Sequence, residues 1–230
     1  MSQQQDGRYY TREELEGMGF RKLGRDVLIS RTSRLYIPEY ISIGDYSIVD
    51  DFCIVSGNVE LGRNVHLAHG CTVIGGREGI RMDDFSGLAF RVTIFAQSDD
   101  YSGGALTNPT VPMKFRKIMR ARVEIGRHAI VGAGSIIFPG VILGEGSSVG
   151  SCSMITKSTE PWSVYFGVPA KKIKNRHRNL LDLEQEYLAE QLNEARDAME
   201  PDQARSISRL TMHRRGVLSF PVHEPLKHDE

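Results

Sequence analysis

Aliphatic residues recur at every sixth position along most of this chain, and that spacing governs how the rest is read. From Ile41 the sequence divides into ISIGDY, SIVDDF, CIVSGN, VELGRN, VHLAHG and CTVIGG. From Val123 it divides into VEIGRH, AIVGAG, SIIFPG, VILGEG, SSVGSC and SMITKS. The third place is always aliphatic: Ile43, Val49, Val55, Leu61, Leu67, Val73, then Ile125, Val131, Ile137, Leu143, Val149 and Ile155. The first place holds small or β-branched residues, and Gly follows the aliphatic residue at Gly44, Gly62, Gly126, Gly132, Gly144 and Gly150. Alternation within a unit predicts a very short strand with one side inward. The glycine predicts a sharp turn with positive φ at that residue. Hairpins are excluded, because the apolar place always returns to the same side. Three units close a triangle, and stacked triangles bury each other's aliphatic residues. The pattern predicts an all-β chain, a parallel β-helix.

The period persists with phase shifts at Val27 and Ile29, Ser33 and Leu35, Ile80 and Met82, Ser86 and Leu88, and Val92 and Ile94. The hexads together fill close to six triangular coils. Between Ile94 and Val123 the pattern stops, so residues 96–121 are expected to leave the β-helix as one extended loop. A long excursion from a regular solenoid is usually functional. At the start, Thr11-Arg12-Glu13-Glu14 has the form of a capping box, and Gly17 and Gly19 would stop the short helix it begins. Residues 1–23 are therefore expected to form a helical cap and 24–159 the β-helix. Over 160–200 a Pro- and Gly-rich turn leads to a C-terminal α-helix, marked by Leu180, Leu183, Tyr187 and Leu181, Leu188, Leu192. Residues 201–230 are polar and aperiodic, a tail of uncertain order.

Composition narrows the function. Among 230 residues, Lys+Arg 29 balances Asp+Glu 29, which excludes a generally basic nucleic-acid binder. No run of about eighteen apolar residues exists to span a membrane. The first residues lack the basic and apolar regions of a signal peptide. Cys53, Cys71 and Cys152 are an odd number at no ligand spacing among aliphatic neighbours, and read as buried free thiols. A cytoplasmic protein is expected.

The unit [Leu/Ile/Val]-Gly-x-x-x-x resembles that of the hexapeptide-repeat acyltransferases, whose fold is a left-handed β-helix. The resemblance covers roughly residues 24 to 176. A narrower likeness lies in Gln97-Ser-Asp-Asp-Tyr-Ser-Gly103, Thr107-Asn-Pro-Thr-Val-Pro112 and Gly167-Val-Pro-Ala-Lys171. These are similar to acyltransferases of nucleotide-linked 4-amino-4,6-dideoxy sugars and to galactoside O-acetyltransferase-like proteins. The resemblance implies a homotrimer, acetyl-CoA as acyl donor, and active sites in clefts between neighbouring β-helices. It also implies a role in cell-surface polysaccharide synthesis.

Acyl transfer needs a nucleophile relieved of its proton and a pocket that excludes water. His66, in the second place of its hexad, points outward in the middle coils and is the best candidate base. A solvated or interface histidine is the bland alternative. In related sugar acetyltransferases the catalytic His follows Thr or Asn in the loop, and here Ser98 stands in that place, so that role does not carry over. An amine acceptor resolves the difficulty, since a sugar amine can attack from its own neutral fraction. Asp99 and Asp100 would then orient its ammonium form, although Asp-Asp-Tyr-Ser-Gly is equally good turn chemistry. Ser98, Tyr101, Asn108 and Arg91 are candidate contacts to the nucleotide sugar, with Lys114, Arg116, Lys117, Arg120 and Arg122 as further cations near the loop. Gly132-Ala133-Gly134 is small enough for pantetheine to lie against its backbone, or equally meets only a turn requirement; the resemblance places Lys171 and Lys172 near the coenzyme A nucleotide. Trp162 reads as a cap on the last coil or as an adenine contact. Sugar O-acetylation is the alternative activity; a non-catalytic scaffold is a further one. Carbonic anhydrases with this repeat bind zinc through three His, and the spacing of His66 and His69 does not fit them, so no metal is expected.

Overall fold

The computed structural model describes residues 7–197, so the expected tail at 201–230 lies outside the described residues. It is a left-handed parallel β-helix of about seven turns. The second face stacks Leu28–Ile29, Ile48–Val49, His66–Leu67, Gly87–Leu88, Ile130–Val131 and Ser148–Val149, all parallel. The third face stacks Arg34–Tyr36, the starts of Ile54–Leu61 and Thr72–Met82, then Thr93–Phe95, Ile136–Ile137 and Met154–Ile155. Those two long strands bend across the corner, so Val59 and Ile80 continue onto the first face between Ile41–Ile43 and Val123–Ile125. Lys22–Leu23 pairs with Ser42 and Ile43, and Val164 and Tyr165 pair with Ser148 and Val149. Leu23-Gly24 carries the aliphatic–Gly signature and Val164–Tyr165 does not, but both rungs lie outside the hexads from Val27 to Ile155, which fill only six coils.

Every third-place aliphatic residue is at most 4% exposed. The first places are as deeply buried, and their polar members bond to the next coil. Ser47 Oγ donates to Gly62 O at 2.8 Å and Ser135 Oγ to Gly150 O at 3.0 Å. A hydroxyl can sit in this core because each coil offers a spare corner carbonyl.

The turn glycines differ from expectation. Positive φ falls two residues later, at Tyr46, Asn64, His128 and Gly134, not at Gly44, Gly62, Gly126 or Gly132. The glycines are required by the stacking distance instead. A Cβ on Gly44 would lie 2.5 Å from the backbone of Gly62 one coil on. The left-handed corner residues stack in a column, with Phe85 and His128 rings 5.3 Å apart and 18° from parallel. Trp162 closes that column against Gly146, buried to 6% exposure, so it caps the last coil.

His128 carries a pH consequence. Burial, then Arg127 and Arg176, push its imidazole below the ordinary value, against a weaker opposing pull from Asp84. The unfolded chain therefore binds a proton that the folded chain resists, near pH 6.5. Stability should be full above pH 7 and fall as pH drops below 6.5. His128→Asn, which suits the left-handed corner that Asn64 already occupies, should flatten melting temperature across that range.

At the start, Arg12–Gly17 is an α-helix whose Thr11 and Glu14 form both halves of the capping box. After the last coil the chain makes an antiparallel hairpin, Ser163–Gly167 with Ala170–Asn175, where only a turn was expected. A separate unit from Asn179 contains the α-helix Leu180–Asp197. Cys53 and Cys71 are buried but Cys152 is exposed, because it occupies a left-handed corner rather than an inward place.

Candidate active site

His66 projects from the second face with half its side chain exposed. Its Nε2 lies 2.8 Å from Asp50 Oδ2, and since a carboxylate only accepts, Nε2 carries the proton. Asp50 is one coil back at the corner between second and third faces, only 8% exposed. Its other oxygen accepts from Tyr9 Oη and Arg8 Nη2, both at 3.2 Å. A buried carboxylate needs such partners, and the N-terminal segment supplies them. Tyr10 N donates to Ile29 O, and Arg31 N to Arg8 O, holding that segment in place. Arg8 Nη2 also donates to His69 Nε2 at 3.0 Å, and His69 Nδ1 faces Asp50 Oδ2 at 3.5 Å. Neighbouring Asp51 accepts from Ser30, and this bond above all holds its carboxyl below the usual range.

The same corner carries Arg91 and Gly132–Gly134. Arg91 N donates to His69 O, Gly134 N to Phe90 O, and Cys152 N to Ala133 O. Thus His66, Arg91 and the Gly132-Ala133-Gly134 segment, chosen from sequence for three different tasks, border one edge of the prism.

The excursion leaves from a different edge. Gln97–Asp99 pairs antiparallel with Ile118–Arg120, so the expected loop is a two-stranded arm with a long tip. Asp99 locks its base: Oδ1 accepts from Arg116 Nη2 at 3.1 Å and Oδ2 from Asn108 N at 3.0 Å. The Asn108 amide first, then Arg116, holds the Asp99 carboxyl below its ordinary value. Asp100 accepts from Ser102 N at 3.0 Å and Ser102 Oγ at 2.9 Å, bonds that lower its carboxyl in the same way. Asn108 Oδ1 is engaged by Thr110 N. Between arm and coil lies a pocket of about 400 Å³ bordered by Phe95, Ser98, Asp99, Tyr101, Arg116 and Ile118. Tyr101 stands 90% exposed at its rim. Arg116 is largely buried, and its Nε has no partner.

Lys171 and Lys172 lie on the terminal hairpin, where Lys171 pairs with Phe166, whose ring covers Gly150 at the His66 edge, and Lys172 Nζ donates to Glu160 Oε2 at 2.6 Å. Arg176 Nη1 bonds the carbonyls of His128 and Gly146, a fastening role. Among the described residues no three His, Cys, Asp or Glu side chains gather as a metal site. Sequence reasoning missed Asp50, Arg8, Tyr9 and the Asp99–Arg116 lock. The available signal for the first was its place two residues past Ile48, which stacks on the outward His66.

No family model matches the chain. It is 36% identical over 179 residues to the dTDP-4-amino-4,6-dideoxy-D-glucose acyltransferase of Escherichia coli, covering 76% of this chain and 93% of that protein. Among solved structures it is similar to AntD, an N-acyltransferase from Bacillus cereus seen in complex with dTDP and 3-hydroxybutyryl-CoA. There the identity is 43% and the TM-score 0.79, over 80% of this chain and 98% of that one. A maltose O-acetyltransferase from Clostridium difficile shares the fold at 21% identity and TM-score 0.51, over 73% of this chain and 75% of that one.

Proposed function

This chain belongs to the hexapeptide-repeat sugar acyltransferases, and from that premise we propose that it acylates the amine of a nucleotide-linked 4-amino-4,6-dideoxy sugar, using acyl-CoA. Both the Escherichia coli relative and AntD are acyltransferases named with dTDP or a dTDP-linked amino sugar. What favours an amine over a hydroxyl is the 43% identity, over 80% of this chain, to AntD, an N-acyltransferase.

In this reading Ser98, Asp99 and Tyr101, which line the arm pocket, receive the sugar, with Asp99 orienting its ammonium form, while Asp100 and Asn108, expected there from sequence, are turned to Ser102 and Thr110 and shape the arm instead. Arg91 and Gly132-Ala133-Gly134 follow the acyl-CoA, whose nucleotide lies near Lys171 and Lys172. His66 serves the reacting nitrogen. The arm and the His66 edge stand apart in one chain, so a neighbouring copy must bring them together, as a homotrimer does. An apolar third face, with Tyr36, Ile54 and Ile136 exposed and Phe95 and Phe138 rings 5.2 Å apart, supports such packing. Substrates of this kind and three free thiols support a cytoplasmic enzyme serving cell-surface polysaccharide synthesis.

The test is thiol release from acetyl-CoA with dTDP-4-amino-4,6-dideoxyglucose and with its 4-hydroxyl analogue, with light scattering on the same sample. Transfer to the amino sugar alone, rising with pH, by a particle of three times 25.8 kDa is expected. Transfer to the hydroxyl sugar alone would replace this reading with O-acylation. An active monomer would remove the trimer.

A further inference from the structure

We infer that the notch left by Gly87 beside the Asp50–His66 pair is the acyl-transfer point, the position of the thioester carbonyl carbon when the acceptor attacks. The inference rests on the acyl transfer proposed above and locates it.

The outward places of the second face run in register through Ile48, His66, Gly87, Ile130 and Ser148. Glycine weakens a strand, so its presence inside one asks for a reason. The other coil glycines have one. A Cβ on Gly132 would lie 2.5 Å from Ser151 N. Gly87 has none within the chain. Its φ is not positive, and a Cβ there would meet nothing nearer than His66 O, at 3.7 Å. The missing side chain opens a gap in the row with a main-chain floor. One wall is the half-exposed His66 ring; the other is Ile130, 48% exposed. Along the edge the gap borders Ala89–Arg91, next to Gly132–Gly134. An apolar wall suits acyl carbons, and a strand glycine free of packing duty is where a ligand approaches the backbone.

The histidine is prepared for a proton. Asp50, itself fixed by Tyr9 and Arg8, keeps the proton on Nε2 and leaves the lone pair on Nδ1. The sugar nitrogen forms its bond to the carbonyl carbon, and Nδ1 takes one N–H proton. The C–S bond then breaks and the imidazolium returns that proton to the sulfur. The products are an amide and a free thiol. Asp50 exchanges no proton; it is a positioning residue.

The decisive variant is Gly87→Val, since Val suits a strand and its Cβ would meet nothing nearer than 3.7 Å. The melting temperature should hold or rise, while kcat/KM for acetyl-CoA falls about a hundredfold or more; Gly87→Ala should accept acetyl but lose a four-carbon acyl group. Asp50→Asn should lower kcat roughly tenfold to a hundredfold with KM unchanged. Combined with His66→Ala it should add nothing, because the two act as one unit. Imidazole in solution should partly restore His66→Ala. If Asp50→Asn does not fold, ¹⁵N-histidine spectra of the unaltered protein must show His66 as the Nε2–H tautomer. Gly87→Val turning over at the full rate, additive losses at Asp50 and His66, or the opposite tautomer would each overturn the inference. Failure of the unaltered protein to acylate any amino sugar would instead sink the proposed function.

Discussion

Leu67→Ala should cost about 2–5 kcal/mol of stability, as large buried aliphatic residues do when cut to a methyl. Leu67 is fully buried and sits in register between Val49 of the preceding coil and Leu88 of the following one. Neither neighbour can collapse into the space, because both are held by ladder hydrogen bonds that fix the coil spacing. The loss should be felt along the stack, since each coil is stabilised by its nearest neighbours. Glu60→Ala is the control. Glu60 is outward on the first face and meets Arg122 only at 3.5 Å, so its loss should change little. Urea unfolding reads both, and a midpoint shift without a slope change would mean stability alone had moved. Equal losses at Leu67 and Glu60 would contradict the inward register.

Arg116→Ala should lower kcat/KM for the sugar about a hundredfold while acyl-CoA affinity stays unchanged. The guanidinium is the side-chain donor to Asp99 Oδ1, and Asp99 in turn holds the Asn108 amide across the arm. Without it the pocket wall formed by Ser98, Asp99 and Arg116 loses its fixed spacing, and a displacement near 1 Å is worth roughly that factor in rate. The coils do not depend on the arm, so the melting temperature should scarcely move. Separate titration of dTDP-sugar and acetyl-CoA by calorimetry distinguishes this from a general loss of structure. A parallel fall in both affinities would show that the arm also supports the donor.

The coils were legible because one local rule, an inward aliphatic residue every six positions, repeats often enough to overwhelm exceptions. Where a rung breaks the rule it was missed. Lys171 and Lys172 drew attention as cations, yet their backbone pairs with Phe166 and Tyr165 in a hairpin that the repeat does not announce. The His66 dyad was half visible. The outward histidine follows from its hexad place, but Tyr9, Arg8 and Asp50 reach it only through the three-dimensional stack. Turn chemistry misled in one respect. Glycine after the aliphatic residue suggested positive φ, whereas close approach between coils sets the glycine and bulky Tyr46, Phe85 and His128 take the left-handed place.

The arm enters and leaves the prism at one point. Ala121 N donates to Ala96 O at 3.0 Å, and Thr93–Phe95 still pairs onward to Ile136–Ile137. The coils therefore close across the insertion as if it were absent, and residues 97–120 behave as a cassette plugged into a finished scaffold. Since the proposed function puts the acceptor on this segment, trading it alone should change acceptor preference without rebuilding the hexad register. A protein engineer has the same freedom: a short turn between Ala96 and Ala121 should leave a folded blank, ready for a foreign arm.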